Sequence, residues 1–399
     1  MYISHVSLTD FRSYDQLDLE LAPGTNVLVG ANGVGKTNIA EAIGYLATLS
    51  SHRVPNDGPL LRFGTERAMV RARVHRGRQT TALEVEITAG KANRARINRA
   101  NPVRSREILG IVKTVLFAPE DLALVKGDPS NRRRFLDDLL VSLRPAQGAN
   151  RGDYDRVLKQ RNALLKSARK AGKLSETHEA TLEVWDHHLA QAGARLLRGR
   201  LEVLGLLAPY LGAAYASLTD GSKPASAFYR STIVEDIEDD GSPVTATPGM
   251  IPGSIASPAL LEAGLPELEE MFMAAIASHR KKEVERGMTL VGPHRDELVL
   301  SLGPAPAKGY ASHGETWSLA LALRLASYKV FGEDDPREGA GPILILDDVF
   351  AELDVSRRAK LAAIVAGADQ VIVTAAVAAD VPAELSGRVL NVGPGGVTP

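Results

Sequence analysis

Residues 28–38, LVGANGVGKTN, constrain this chain more than any other stretch. Gly30, Gly35, Lys36 and Thr37 fit the pattern G-x-x-x-x-G-K-[ST], with Ala31, Asn32, Gly33 and Val34 between. An apolar segment, NVLVG, precedes the pattern and a helical one, NIAEAIGYLATL, follows it. Strand, glycine-rich loop and helix in that order form the context in which the pattern means phosphate. Glycines let the backbone curl until successive N–H groups face one point, where side chains would clash. The helix start adds free N–H groups and the positive end of its dipole. Lys36 then reaches the β- and γ-phosphates, and the Thr37 hydroxyl holds Mg²⁺.

A second half-site lies near the other end of the chain, in ILILDDVFAELD (343–354). The apolar run Ile343–Leu346 ends in Asp347 and Asp348. A carboxylate at the C-terminal edge of a parallel strand faces the crevice where α/β sheets bind ligands. Asp347 is placed to hold Mg²⁺ and Asp348 to polarise an attacking water. A third element, YASHGETWSLALALRLASY (310–328), opens a Leu- and Ala-rich helix with the polar turn Ser312-His313-Gly314-Glu315. Its free N–H groups form an anion site. Because the chain's own P-loop already takes the phosphates, this helix start suits a nucleotide held by a second copy. Ser312 also reads as an ordinary N-cap, and both roles are compatible.

The distance between the half-sites implies an α/β domain split by an insertion. Alternation at Leu17, Leu19 and Leu21 and the segments MVRARV and ALEVEI predict strands of a mixed or antiparallel sheet. Helical spacing then takes over, at Tyr154, Val157, Leu158, Leu164, Leu165 and Ala168, and again at Leu182, Trp185, Leu189, Ala192, Leu196, Val203 and Leu207. Residues 219–258 are dense in Gly, Ser, Pro and Asp and read as a mobile insertion or long loop. A helix at 266–286 and a return to β-rich sequence at MTLVGPHRDELVLSL follow. The expected organisation is an ATPase domain from 1–110 and 287–399, interrupted by a mainly helical arm at 111–286.

With 399 residues, 44% of them hydrophobic, the chain builds a sizeable core. It has no cysteine, which excludes disulfides and thiolate metal sites and fits a reducing cytosol. The start, MYISHVSLTDFRSYD, lacks a signal-peptide layout, and apolar runs fall short of the ~20 residues that cross a bilayer. The expectation is a cytoplasmic protein with no membrane segment. Net charge is −1, so bulk electrostatics does not announce nucleic acid. Locally, 91–106 carries Lys91, Arg94, Arg96, Arg99, Arg104 and Arg106 without one acid, the best candidate for contact with DNA phosphates. Arg132, Arg133 and Arg134 form a second basic cluster; a solvated charged face is the plain reading of each. Arg12, in FRSY (11–14), is a candidate phosphate ligand. His294-Arg295-Asp296 reads as a turn between strands, since no kinase glycine loop or D-F-G accompanies it. His187-His188 lacks metal-ligand companions.

The P-loop, the acidic strand end and the polar helix start together resemble the ABC-type ATPase heads of the SMC/Rad50 group, and among these the bacterial RecF family of recombination-repair proteins. The resemblance extends to FRSY, VLFAPEDLALVKGDPSNRRRFLD (115–137), YDRVLKQRNALLK (154–166), GPHRDEL (292–298), YASHGE (310–315) and LDDVFAELD (346–354). It implies a Rad50-like head with a helical arm and no long coiled coil, using ATP and Mg²⁺. It implies a homodimer with two ATP molecules sandwiched between P-loop and signature turn, and binding to DNA at single-stranded or gapped duplex junctions. It also implies partners of the RecR and RecO type, loading of the RecA recombinase and a part in the SOS response.

By position, the resemblance puts Lys36 and Thr37 on phosphate and metal, Asp347 on Mg²⁺, and Asp348 in place of the usual catalytic glutamate. Ser312 and Gly314 act in trans, Asp354 belongs to the D-loop at the dimer interface, and FAPED (117–121) faces metal or water. His313, Glu315 and Trp317 depart from the family's SQGQQR, and Glu315 puts an acid beside a phosphate-binding turn. Thr374 and Ala375 stand where a switch histidine is expected. The missing histidine and Asp348 together predict slow hydrolysis, and the resemblance implies a weak DNA-dependent ATPase with hydrolysis serving as a conformational switch. A nucleotide-bound scaffold without turnover is the alternative. A transport ATPase subunit would carry L-S-G-G-Q and the histidine, and both are missing.

Overall fold

The structure is a computed structural model that describes residues 1–172, 174–219, 223–234, 253–394 and 396–398. Its centre is a mainly parallel sheet. The strands Thr114–Phe117, Ile343–Asp347, Gln370–Ala375, Gly24–Val29 and Arg388–Gly393 run parallel in that order, and Gly396–Thr398 pairs antiparallel at the edge. The central strands Ile343–Asp347 and Gln370–Ala375 are buried throughout, which explains why they read as largely apolar runs. Leu28, Ile343, Ile345 and Ile372 face one core, shared with Ile39 and Ile43 of the P-loop helix Lys36–Thr48. The alternate residues Val27, Leu344, Leu346, Val371 and Val373 face the other, shared with Leu319 and Leu323 of the helix His313–Asp334.

The first core is closed by an antiparallel sheet in the order Tyr14–Glu20, Tyr2–Phe11, Arg67–Arg76, Gln79–Thr88, Arg94–Ile97, Val103–Arg104. Val6, Leu8, Val70, Val85 and Ile87 point inward, and the opposite face is polar. The second core continues into the helices Pro129–Leu143, Gly148–Lys170, Glu176–Leu218 and Leu265–Arg286. The strand Ala225–Arg230 pairs antiparallel with Glu297–Leu302. Residues 219–258, expected to be a loop, therefore contain a strand with Ala227, Phe228 and Tyr229 buried. Small polar residues on both sides masked that six-residue apolar pattern. Of that reading, residues 220–222 and 235–252 lie outside the described residues.

The helix Glu176–Leu218 runs 43 residues, straight through Pro209. An 18-residue window of it reaches mean hydropathy 1.4, long and apolar enough by composition alone to cross a membrane. The reading from unbroken apolar runs did not single this helix out, because Leu, Val and Ala raise the mean while polar residues interrupt every run. The helix instead packs against Gly148–Lys170, Leu265–Arg286 and His313–Asp334, with Leu196, Leu204, Leu207 and Leu211 in the core and Asp186 and Arg200 buried beside them.

Buried ion pairs join the helices. Arg161 donates to Asp186 Oδ1 (2.7 Å), Thr289 Oγ1 (2.7 Å) and Glu283 Oε2 (2.6 Å) and is fully inaccessible. Burial works against its charge, but Glu283 and Asp186 hold it above the ordinary arginine range. Asp296 accepts from Tyr229 Oη (2.9 Å), Ser231 Oγ (3.0 Å), Thr232 N (2.8 Å) and Thr232 Oγ1 (2.9 Å). The GPHRDEL segment is thus a polar hub beside the strand Glu297–Leu302, not merely a turn. Arg132 and Arg133 belong to the same joint. Arg132 meets Glu297 Oε1 at 2.6 Å and Arg133 the Asp296 carbonyl at 2.7 Å, while Arg134 stays partly exposed, paired with Asp138 and donating to the Ser51 carbonyl. A solvated face does not describe Arg132, which is buried against Glu297.

Candidate nucleotide-binding site

The P-loop connects the strand Gly24–Val29 to the helix Lys36–Thr48. Two of its glycines are obligatory for different reasons. A side chain at Gly30 would strike the Val392 carbonyl, 2.2 Å from the Cβ position. Gly35 caps the helix at φ 111° with the Tyr14 hydroxyl 2.6 Å from its Cβ position. Ala31, Asn32 and Gly33 are exposed and Val34 is half-buried, so the loop's outer rim is open. Lys36 is buried and folds back, donating from Nζ to the carbonyls of Gly30 (2.7 Å) and Ala31 (3.1 Å).

The distant half-site arrives beside it. The strands end at one edge of the sheet, with Asp347 in register with Thr374 and Ala375 with Val29. Thr37 Oγ1 donates to Asp347 Oδ1 at 3.1 Å, and Thr374 Oγ1 donates to the same oxygen at 2.6 Å. Burial pushes the Asp347 carboxyl up to about 6; the Thr374 and Thr37 hydroxyls oppose this, and Asp348 and Glu120 add to it. Asp348 adopts a left-handed conformation at φ 51°, with its N–H held by Thr374 Oγ1 at 2.9 Å. It lines a cleft of ≈ 270 Å³ together with Asn32, Pro119 and Asp380. His52, from the loop after the P-loop helix, places Nε2 4.0 Å from Asp347 Oδ2. Among the described residues that nitrogen has no hydrogen-bond partner, and burial drives the ring's pKa down to about 4.

The FAPED segment divides its roles. Asp121 is committed to Arg324, at 2.6 and 3.1 Å, and to the Ala118 N–H at 3.1 Å. Glu120 is exposed and faces Asp347 closely enough to raise its pKa. Arg12 is not free for phosphate in this conformation: its guanidinium forks onto Glu41 at 2.6 and 2.7 Å and onto the Pro59 carbonyl at 2.9 Å. Burial pushes the Glu41 carboxyl up, yet Arg12, Ser51 and Arg53 outweigh it and hold it low. A buried carboxylate claims the arginine before any phosphate arrives.

The signature turn lies on the surface, with Ser312 and His313 exposed. Ser312 and Glu315 form a reciprocal cap, the Ser312 N–H donating to Glu315 Oε2 (2.8 Å) and the Glu315 N–H to Ser312 Oγ (3.3 Å). Glu315 is also paired with Lys223 at 2.7 Å, and Lys223 and Ser312 hold its carboxyl down to about 2. The acid is therefore paired, which tempers its expected repulsion of phosphate. Asp354 caps the helix Val355–Val365 through the Arg357 N–H at 2.9 Å and pairs with the Arg357 guanidinium. Arg357 in turn donates to Ser318 Oγ at 2.9 Å and lies against Gly314. Signature turn and D-loop thus form one patch, flanked by the exposed Tyr310 and Val355. Trp317 points into the core rather than toward that patch.

Among the described residues no group of three or more His, Cys, Asp or Glu forms a metal cage. A hydroxyl and one carboxylate oxygen 3.1 Å apart do fit Mg²⁺, which takes few protein ligands and completes its shell with phosphates and water.

A family model described as RecF/RecN/SMC N terminal domain matches residues 2–383. The DNA replication and repair protein RecF of Pseudarthrobacter chlorophenolicus is 67% identical over 398 residues, covering 100% of this chain and 99% of the relative. The chain belongs to the RecF family. Its Streptomyces avermitilis relative of the same description is 51% identical, covering 100% and 99% of the two chains. Two solved structures, of the recombination mediator protein RecF-ATPrS and RecF-ATP in the RecFOR pathway, match with TM-score 0.82 and 25% identity and cover 97% of those chains and 99% and 100% of this one. The ABC-type head with a helical arm expected from the sequence is therefore the fold, as in RecF.

For this RecF-family chain the basic stretch 91–106 forms the strands Arg94–Ile97 and Val103–Arg104 at the far edge of the antiparallel sheet. Arg94, Arg96, Arg99, Arg104 and Arg106 are all exposed, and Arg94 lies opposite Arg104. The stretch contains no acid of its own, but the neighbouring strand sets Glu86 opposite Arg94 and Glu84 opposite Arg96, 3.5 Å away. Sequence reasoning also missed His52 and the double contact of Thr374, which depend on strand order, and Arg357, whose i,i+3 pairing with Asp354 was a local signal.

Proposed function

We propose that this chain is a cytoplasmic DNA-binding ATPase switch: ATP and Mg²⁺ bind at Gly30–Thr37 and Asp347, and ATP draws two copies together on DNA. The observation that carries this reading is the 3.1 Å contact between Thr37 and Asp347, 310 residues apart, facing a loop built for phosphate. The exposed patch of Ser312, Gly314 and Asp354 supplies the half that caps the γ-phosphate of a partner's nucleotide. In this reading Lys36 exchanges its two carbonyls for β- and γ-phosphate oxygens, which bind an ammonium more strongly. Mg²⁺ held by Thr37 and Asp347 neutralises charge on the phosphates. Asp348 orients the attacking water. Its side chain is shorter than glutamate, and Thr374 and Ala375 offer no histidine, so turnover is slow. Energy from capping two γ-phosphates becomes interface energy, and hydrolysis releases it.

Membership of the RecF family supports a place in replication and recombinational repair, acting at single-stranded or gapped duplex DNA with partners of the RecR and RecO type. The same membership supports the loading of RecA-type recombinase and a part in the SOS response. A second reading, a nucleotide-bound scaffold without turnover, is favoured by Glu315 on the signature turn. Light scattering with and without ATP and gapped DNA tests the switch: the parent should dimerise with ATP and the Lys36→Met variant should not. Dimers of Lys36→Met with unchanged ATP dependence would refute it. Single-turnover hydrolysis by the purified dimer separates switch from scaffold.

A further inference from the structure

Asp347 is asymmetrically held. Its Oδ1 takes both the Thr37 and Thr374 hydroxyls, while Oδ2 lies 4.0 Å from His52 Nε2, too long for a hydrogen bond. A buried ring nitrogen left without a partner is a cost that native structures rarely carry without reason. The backbone around it is pinned. Ser51 Oγ accepts from the Arg53 N–H (3.0 Å) and the Val54 N–H (3.1 Å), and Arg134 grips the Ser51 carbonyl from the neighbouring helix. The ring itself has room, since it borders a cavity of ≈ 160 Å³ together with Thr48, Glu120 and Arg324. A fixed backbone and a free ring, one short swing from a metal-binding carboxylate, make a contact that is completed only when the site is filled.

We infer that His52 is a positioning residue for Asp347, its Nε2–H closing onto Oδ2 when nucleotide and Mg²⁺ occupy the site and fixing the carboxylate toward the metal. This rests on the nucleotide-binding reading above.

The test is equilibrium titration of the full chain with a fluorescent ATP analogue, in Mg²⁺ and in EDTA. His52→Ala should weaken binding in Mg²⁺ by about tenfold, the lower end of what loss of a ligand-orienting residue costs, and leave binding in EDTA unchanged. His52→Gln, whose amide nitrogen reaches the place of Nε2, should restore the Mg²⁺ value, and the shorter His52→Asn should not. Should the alanine variant fail to fold, the Gln and Asn pair carries the comparison. Parent-like affinity of the alanine variant in Mg²⁺, equal losses in both conditions, or no difference between Gln and Asn overturns the inference alone. A parent that binds no nucleotide in either condition overturns the nucleotide-binding reading as well.

Discussion

Replacing Asp347 by Asn should stabilise the nucleotide-free protein, and only above mildly acid pH. The carboxyl is 3% exposed, and burial lifts it from 3.8 to about 6. Between those values the unfolded chain is ionised while the folded one keeps its proton, so folding stability falls as pH rises through that window. Below it both states are protonated, and above it both are ionised. At about 1.4 kcal/mol per pH unit the ionised carboxylate costs the fold on the order of 3 kcal/mol at pH 7. The amide keeps an oxygen for the Thr37 and Thr374 hydroxyls, so the change removes charge and little else. Urea unfolding followed by circular dichroism, for parent and variant at intervals from pH 4 to 8 without Mg²⁺, measures the difference. The variant's advantage should grow between pH 4 and 6 and level off above. A constant difference across that range, or an advantage that grows on acidification, would refute the argument that Asp347 is a strained carboxylate awaiting a cation.

Other expectations can be checked in parallel. Converting Arg94, Arg96 and Arg99 to Glu should weaken DNA binding and lower the slope of log K against log salt by about 2–3, at ~0.9 per lost phosphate contact; an unchanged slope excludes this edge of the sheet. Arg161→Leu strands Glu283 in the arm, while Asp186 keeps Arg280, and should cost about 3–5 kcal/mol in denaturant unfolding, where a loss below about 1 kcal/mol would mean the charge finds water. Glu315→Gln keeps the acceptor for the Ser312 N–H and removes the negative charge, so ATP-dependent dimers should form at lower protein concentration. Unchanged or weaker dimers would show that the Lys223 pair already cancels that charge.

What the sequence disclosed and what it hid follow from the range of the forces involved. Gly30 to Thr37 and Asp347 were legible because a phosphate loop and a strand-end carboxylate obey local backbone rules. Ser312 was legible for the same reason, as the start of a helix. His52 and Thr374 were not, because their meaning comes from neighbours 295 and 27 residues away that only strand order brings close. Charge runs misled in both directions. Arg132 lies on the same helical stripe as Leu136 and Leu139, a spacing that marks an inward arginine. The acids opposite 91–106 sit on another strand, invisible to a count along the chain. The strand at 225–230 was lost because its flanks dominated the composition around it.

The strand that leads into the P-loop has both its neighbours, Gln370–Ala375 and Arg388–Gly393, at the far end of the polypeptide. On the ribosome, then, Gly24–Val29 waits with two bare edges until almost the whole protein has emerged, roughly 20–70 s at ordinary elongation rates. For that interval the nascent molecule has a phosphate loop with no walls and an apolar ribbon open to any passing strand. Its biogenesis, more than its finished stability, is where a holding chaperone would matter.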